Sequence, residues 1–224
     1  MAYLDDRGRA LIAEAVAEAE AGTSGEIVTI LTEASDSYND VAFMWSAAAS
    51  FALMSVFAVM PQPFLDLWDR LVAGWTHHWT TGELASMVIA LGLVGFFAML
   101  ALQQIPAIRF ALVPGPLKTA RAHAAAIRLF KAGTEQRTRD HTGVLIYLSM
   151  ADHRAEILAD SAIAAKVAPE VWGEAMGDML AEIRKGCVAE GLAAGIRDVG
   201  FVLAQHFPKP AGDKNQLPDD LIEL

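Results

Sequence analysis

The chain has little cysteine, little charge and no excess of basic residues. Cys187 is its one cysteine, which excludes an intramolecular disulfide and a Cys-rich zinc site. Charged residues make up 20% of the 224 positions and hydrophobic residues 54%. That is too apolar for a disordered chain and high for an ordinary soluble one. Lys and Arg number 17 against 27 Asp and Glu, a formal net charge of −10, which argues against a nucleic-acid partner. The Walker motif, the dinucleotide glycine fingerprint, the His-Glu-x-x-His pair and the nucleophile elbow are all missing. The enzyme classes most readable from sequence go with them.

What is present is two long uncharged runs. Residues 41–60 and 84–104 contain no Asp, Glu, Lys, Arg or His. About 20 apolar residues at 1.5 Å rise cross a hydrocarbon core of roughly 30 Å. The runs therefore predict a two-helix transmembrane hairpin. The first begins too late and with too acidic a flank for a signal peptide. The connecting loop, 61–83, carries Trp68, Trp75 and Trp79, a residue type that favours the membrane interface. Small residues in the first run (Ser46, Ala48, Ser50, Ala52, Ser55) and Gly92 and Gly95 in the second suit close helix contact. Arg109, Lys118, Arg121, Arg128, Lys131, Arg137 and Arg139 follow the second run, against Arg70 alone in the loop. The positive-inside rule puts both flanks in the cytoplasm. The basic stretch also suits anionic headgroups.

The flanks read as one α/β domain. Residues 4–21 form an amphipathic helix, 22–25 a turn and 26–32 a β-branched strand. A lone strand has unsatisfied backbone groups, so its partners lie beyond the hairpin. Residues 117–132 read as a helix and 143–149 as a buried central strand. A tight turn at 150–153 leads to a third strand, 154–159. Helical stretches follow at 161–167, 169–185 and 188–206, with Gly186 as a stop. The expected fold is α/β, a small sheet of at least three strands packed by helices, with the hairpin inserted after the first strand. The expected organisation is 1–40 as helix and first strand, 41–104 as hairpin, 105–208 as the remainder of the domain, and 209–224 as a flexible acidic tail.

Several segments resemble the TPM domain family. They are Thr23-Ser24-Gly25-Glu26-Ile27-Val28, then Thr142 through Ser149, and Glu156-Ile157-Leu158-Ala159-Asp160. Trp172 and the closing Leu203-Ala204-Gln205-His206-Phe207-Pro208 fit as well. The resemblance spans roughly 7–34 and 118–208. It implies a membrane-associated α/β domain. Some members of that family are described as acid phosphatases, some bind divalent cations, and plant members assist the maintenance of photosystem complexes. Many members carry a Gly-rich, Glu-containing stretch after the third strand. Here that place reads Leu158-Ala159-Asp160-Ser161-Ala162-Ile163, a departure that weakens the phosphatase reading.

Asp160 is the candidate catalytic residue. It ends the third strand where a helix starts, so it suits an N-cap, a Ca²⁺ or Mg²⁺ ligand, or a nucleophile in phosphoryl transfer. Glu26 opens the first strand and Asp140 precedes the second. With Asp160 they form the candidate metal set, provided the third strand runs antiparallel to the others. Asp152-His153 reads as turn chemistry, and His77-His78 as interfacial. Arg137 and Arg139 read as a phosphate clamp or as the basic collar continued. The sequence thus predicts a non-catalytic accessory or assembly factor, anchored in the lipid bilayer and docked to a membrane protein complex through its hairpin. The alternative is a divalent-metal-dependent phosphatase or a Ca²⁺/Mg²⁺-binding module on the cytoplasmic face.

Overall fold

A computed structural model describes residues 3–73, 78–135, 142–168, 170–210 and 219–224. The chain divides into two compact units. One comprises residues up to Asp36 together with those from Gly115 onward; the other is Ser37–Pro114.

The first unit is built on a mixed sheet of β1 (Glu26–Thr32), β2 (Gly143–Ser149), β3 (Arg154–Ala159) and β4 (Ile222–Glu223). The order is β3-β2-β1-β4. β2 runs parallel to β1 and antiparallel to β3, and β4 runs parallel to β1. Every residue of β1 and β2 is buried, because both sheet faces are covered. Side-chain alternation assigns the faces. Ile27, Leu31, Val144, Ile146 and Leu148 join one core, against α1 (Asp6–Ala21), α8 (Val171–Ile183) and α9 (Val188–His206). Val28, Ile30, Leu145 and Tyr147 join another, against Ala122, Ala125, Ala126 and Phe130 of α6 (Gly115–Phe130). The domain therefore has three layers, with helices on both faces of the sheet.

Local chemistry fixes the element ends. Asp5 caps α1, its Oδ1 accepting from the Gly8 N–H at 2.7 Å. Ile12, Ala15 and Val16 form the buried stripe of that helix. Gly186, with φ of +90°, ends the turn after α8 where a side chain would be strained. The β2–β3 turn is tied down by Asp152, 1% exposed. Its Oδ2 accepts from Ser149 Oγ and from the Ser35 N–H, each at 2.8 Å. His153 takes a φ of 52° there.

Three expectations are corrected. The helix expected over 161–167 is the single turn α7 (Ser161–Ala164). The segment 61–83 contains the helix α3 (Gln62–Trp68), continued by one π turn, Asp69–Ala73. Pro63 lies in its first turn, where a missing N–H costs nothing. Of the expected tail, residues 211–218 lie outside the described residues, while its last residues are paired: β4 adds to the edge of β1, and the Leu224 N–H donates to the Leu31 carbonyl at 3.0 Å.

The second unit is a helical hairpin of α2 (Asn39–Val59) and α4 (Thr81–Leu102), followed by α5 (Pro106–Ala111). Gly92 and Gly95 of α4 are its contact points. A Cβ on Gly95 would lie 3.3 Å from the Ala49 carbonyl oxygen and 3.3 Å from Ser50 Cα; one on Gly92 would lie 2.8 Å from Met54 Sδ. Small residues let the backbones approach this closely. At one end Gln103, 2% exposed, donates to the Ala42 carbonyl at 3.1 Å and to Ser46 Oγ at 3.3 Å. At the other end Thr80 and Glu83 form a capping box that starts α4. Arg109 closes the exit of the unit by donating to the Ser37 carbonyl and to Asn39 Oδ1.

Candidate functional site

The sheet brings two of the three candidate carboxylates to one end. Glu26 pairs with Gly143 in the β1–β2 register, and its N–H donates to the Thr142 carbonyl at 3.1 Å. From the other side the Asp160 N–H donates to the Gly143 carbonyl at 2.9 Å. The antiparallel course of β3 produces this arrangement. Glu26 and Asp160 therefore flank the first residue of β2, 4% and 3% exposed. Glu26 has the parity of Val28 and Ile30, and Asp160 that of Leu158. Alternation thus assigns both to the α6 face. Asp140, the third candidate, lies outside the described residues, as do His141, Arg137, Arg139, Trp75 and His77.

Asp160 is an N-cap. Its Oδ1 accepts from the N–H and, at 3.1 Å, from the hydroxyl of Ser161. A cap and a ligand role are compatible for a carboxylate with two oxygens, but Ca²⁺ takes six to eight oxygens and Mg²⁺ six. Among the described residues no three His, Cys, Asp or Glu side chains are grouped to hold a metal. Glu26 and Asp160 alone do not fit such an ion, and no chemical step follows from them through one.

Sequence reasoning missed a third buried carboxyl near this end. Glu20, 6% exposed, lies in the last turn of α1. Its Oε1 accepts the Ile27 N–H at 2.7 Å, and its Oε2 is buried without a hydrogen-bond partner. Burial pushes its pKa up to about 8, the Ile27 N–H opposing and nearby Glu26 and Asp219 adding to the rise. Lys209 donates to the Glu20 carbonyl at 2.9 Å. The signal was available in the helix period: Glu20 follows Ile12 and Val16 at i+4 steps on the apolar stripe.

The fold defines a three-layer α/β domain with a mixed sheet. Residues 105–201 match the family model described as TPM domain. The matched segment holds α6, β2, β3 and α8, whereas α1 and β1 precede the inserted hairpin and β4 follows the match. The fold is similar to the NMR structure of BA42 protein from the psychrophilic bacterium Bizionia argentinensis. The TM-score is 0.56 and the identity 18%, over 99% of this chain and 95% of that one. No curated protein matches the chain.

Proposed function

We propose that this chain is a membrane-anchored TPM-domain protein that serves as a non-catalytic accessory, assembly or maintenance factor for a membrane protein complex. One observation carries the reading: α2 and α4 are long and apolar yet have little cover of their own. They run 21 and 22 residues, and only 22% and 6% of their most apolar windows are buried. A core helix of a soluble protein would be mostly buried. Phe43, Phe51 and Val59 on α2, and Ile89, Val94 and Phe97 on α4, stand between 54% and 80% exposed. Lipid tails or the helices of a partner complex suit such surfaces. At 1.5 Å per residue, each helix matches a hydrocarbon core of about 30 Å. The basic residues after α4 favour the cytoplasm for the TPM domain, and we take the bacterial inner membrane as the site of the anchor.

The test is purification of the tagged chain from its native membranes in mild detergent, with co-eluting proteins identified by mass spectrometry. A stoichiometric membrane partner is expected. A lone, monodisperse protein would overturn the reading.

A second reading is a divalent-metal-dependent phosphatase or a Ca²⁺/Mg²⁺-binding module. It is favoured by the convergence of Glu26 and Asp160 on Gly143, and it needs further oxygen ligands, from Asp140 first. Turnover of a generic phosphate monoester by the full chain, abolished in Asp160→Asn, would support it. Unchanged turnover in that variant would remove it.

A further inference from the structure

The edge of β1 recognises an extended segment by three features, all within the TPM-containing unit. The first is main chain. Ile222 and Glu223 lie in register with Ile30 and Leu31. The Leu224 N–H donates to the Leu31 carbonyl at 3.0 Å, and the Glu33 N–H donates to the Leu224 carbonyl at 3.4 Å. The second is apolar: Leu221 packs against the core formed with α1, α8 and α9. The third is charge. Arg9 of α1 donates to Glu223 through two groups, Nε to Oε1 at 2.9 Å and Nη2 to Oε2 at 3.3 Å. Residues 221 and 223 are two apart, so one face of an extended chain presents both to the α1 side.

The contact energy behind this arrangement is small. The β4 ladder is two residues long, against seven in β1. Ile222 and Leu224 stay 39% and 63% exposed. The Arg9 side chain is 42% exposed, and a solvated ion pair contributes little. What holds the segment is its covalent connection to the same chain, which acts as a high effective concentration. A segment from another protein with the same features and a longer ladder would compete, as in strand addition at other sheet edges.

We propose that the β1 edge is a strand-acceptor site for an extended segment of a partner protein, apolar at one position and acidic two residues later, and that residues 221–224 hold this site closed in cis. The proposal stands whether or not the hairpin binds a complex.

The test uses the full chain in mild detergent and a labelled peptide with the sequence of residues 219–224, followed by fluorescence anisotropy. The wild-type chain should take the peptide weakly, its own segment being in place. Glu223→Arg sets two cations against each other in cis and leaves Arg9 for the peptide. Its affinity should be at least about tenfold higher. Arg9→Glu should lose the peptide and regain binding when the peptide carries Lys at the position of Glu223. That rescue also demonstrates an intact fold. Equal binding by wild type and Glu223→Arg, or undiminished binding of the unmodified peptide by Arg9→Glu, would overturn the proposal. So would a Glu223→Arg chain that ignores the peptide and pairs with a second copy of itself.

Discussion

Glu20 Oε1 accepts the main-chain N–H of Ile27 at 2.7 Å, tying the last turn of α1 to the first rungs of β1. The bond holds with the carboxyl protonated, and burial favours that form. The unfolded value is 4.5 and the folded one about 8, so the folded chain binds this proton more tightly. The stability it contributes is complete below pH 4.5 and is lost as pH climbs through 8. Glu20→Gln keeps an acceptor for Ile27 and cannot ionise. Its stability should be flatter across this window, and at pH 9 it should exceed the parent by on the order of 1–2 kcal/mol. Thermal melts of both proteins at pH 5, 7 and 9 check this; parallel curves would refute it.

Asp152 joins the ends of β1 and β2 through one buried oxygen. Asp152→Ala removes the acceptor for Ser149 Oγ, which is fully buried, and for the part-buried Ser35 N–H. A loss of about 2–3 kcal/mol is expected. Asp152→Asn, which retains a carbonyl oxygen, should lose less. Chemical denaturation in mild detergent reads the order.

Gly95 sets the spacing of the hairpin. A side chain there meets backbone atoms at 3.3 Å, and backbone yields less readily than a side chain. Gly95→Leu should destabilise the hairpin by about 1–3 kcal/mol. Gly82, with nothing within 4 Å of its ideal Cβ, is the control. Gly82→Ala should be neutral or stabilising by up to about 1 kcal/mol. Equal melting temperatures for the two variants would contradict the assignment.

Capping by Asp160 can be separated from any chemistry. Asn is as good an N-cap as Asp, so Asp160→Asn should melt with the parent. Asp160→Ala should lose about 1 kcal/mol. Circular dichroism melts of the two variants make the comparison, and a large loss in the Asn variant would mean that charge matters beyond the cap.

The parts of this fold legible in the sequence share a physical origin. Residues 26–32, 143–149 and 154–159 combine β-branched or apolar content with clear turn signals, and the observed strands have these limits. The hairpin declares itself by two runs without charge. The convergence of Glu26 and Asp160 followed from the tight turn at 150–153, which dictates an antiparallel third strand. What stayed hidden depends on distant contacts. β4 is too short to show a period, and its existence rests on Arg9 and on the edge of β1. The helix at 62–68 lay behind prolines that read as punctuation. Glu20 looks like an ordinary helix surface residue until its place on the stripe of Ile12 and Val16 is counted.

The seven-rung ladder between β1 and β2 has a consequence for biogenesis. Its two strands are separated in sequence by the whole of the Ser37–Pro114 unit. Backbone hydrogen bonds cannot reach across a bilayer, so the ladder closes only when chain entry and exit lie in the same compartment. An odd number of crossings would strand β1 from β2 and leave both with exposed edges. If the hairpin crosses a membrane, the sheet acts as a parity check on its insertion: a misrouted hairpin would show itself as an unfolded, protease-sensitive domain.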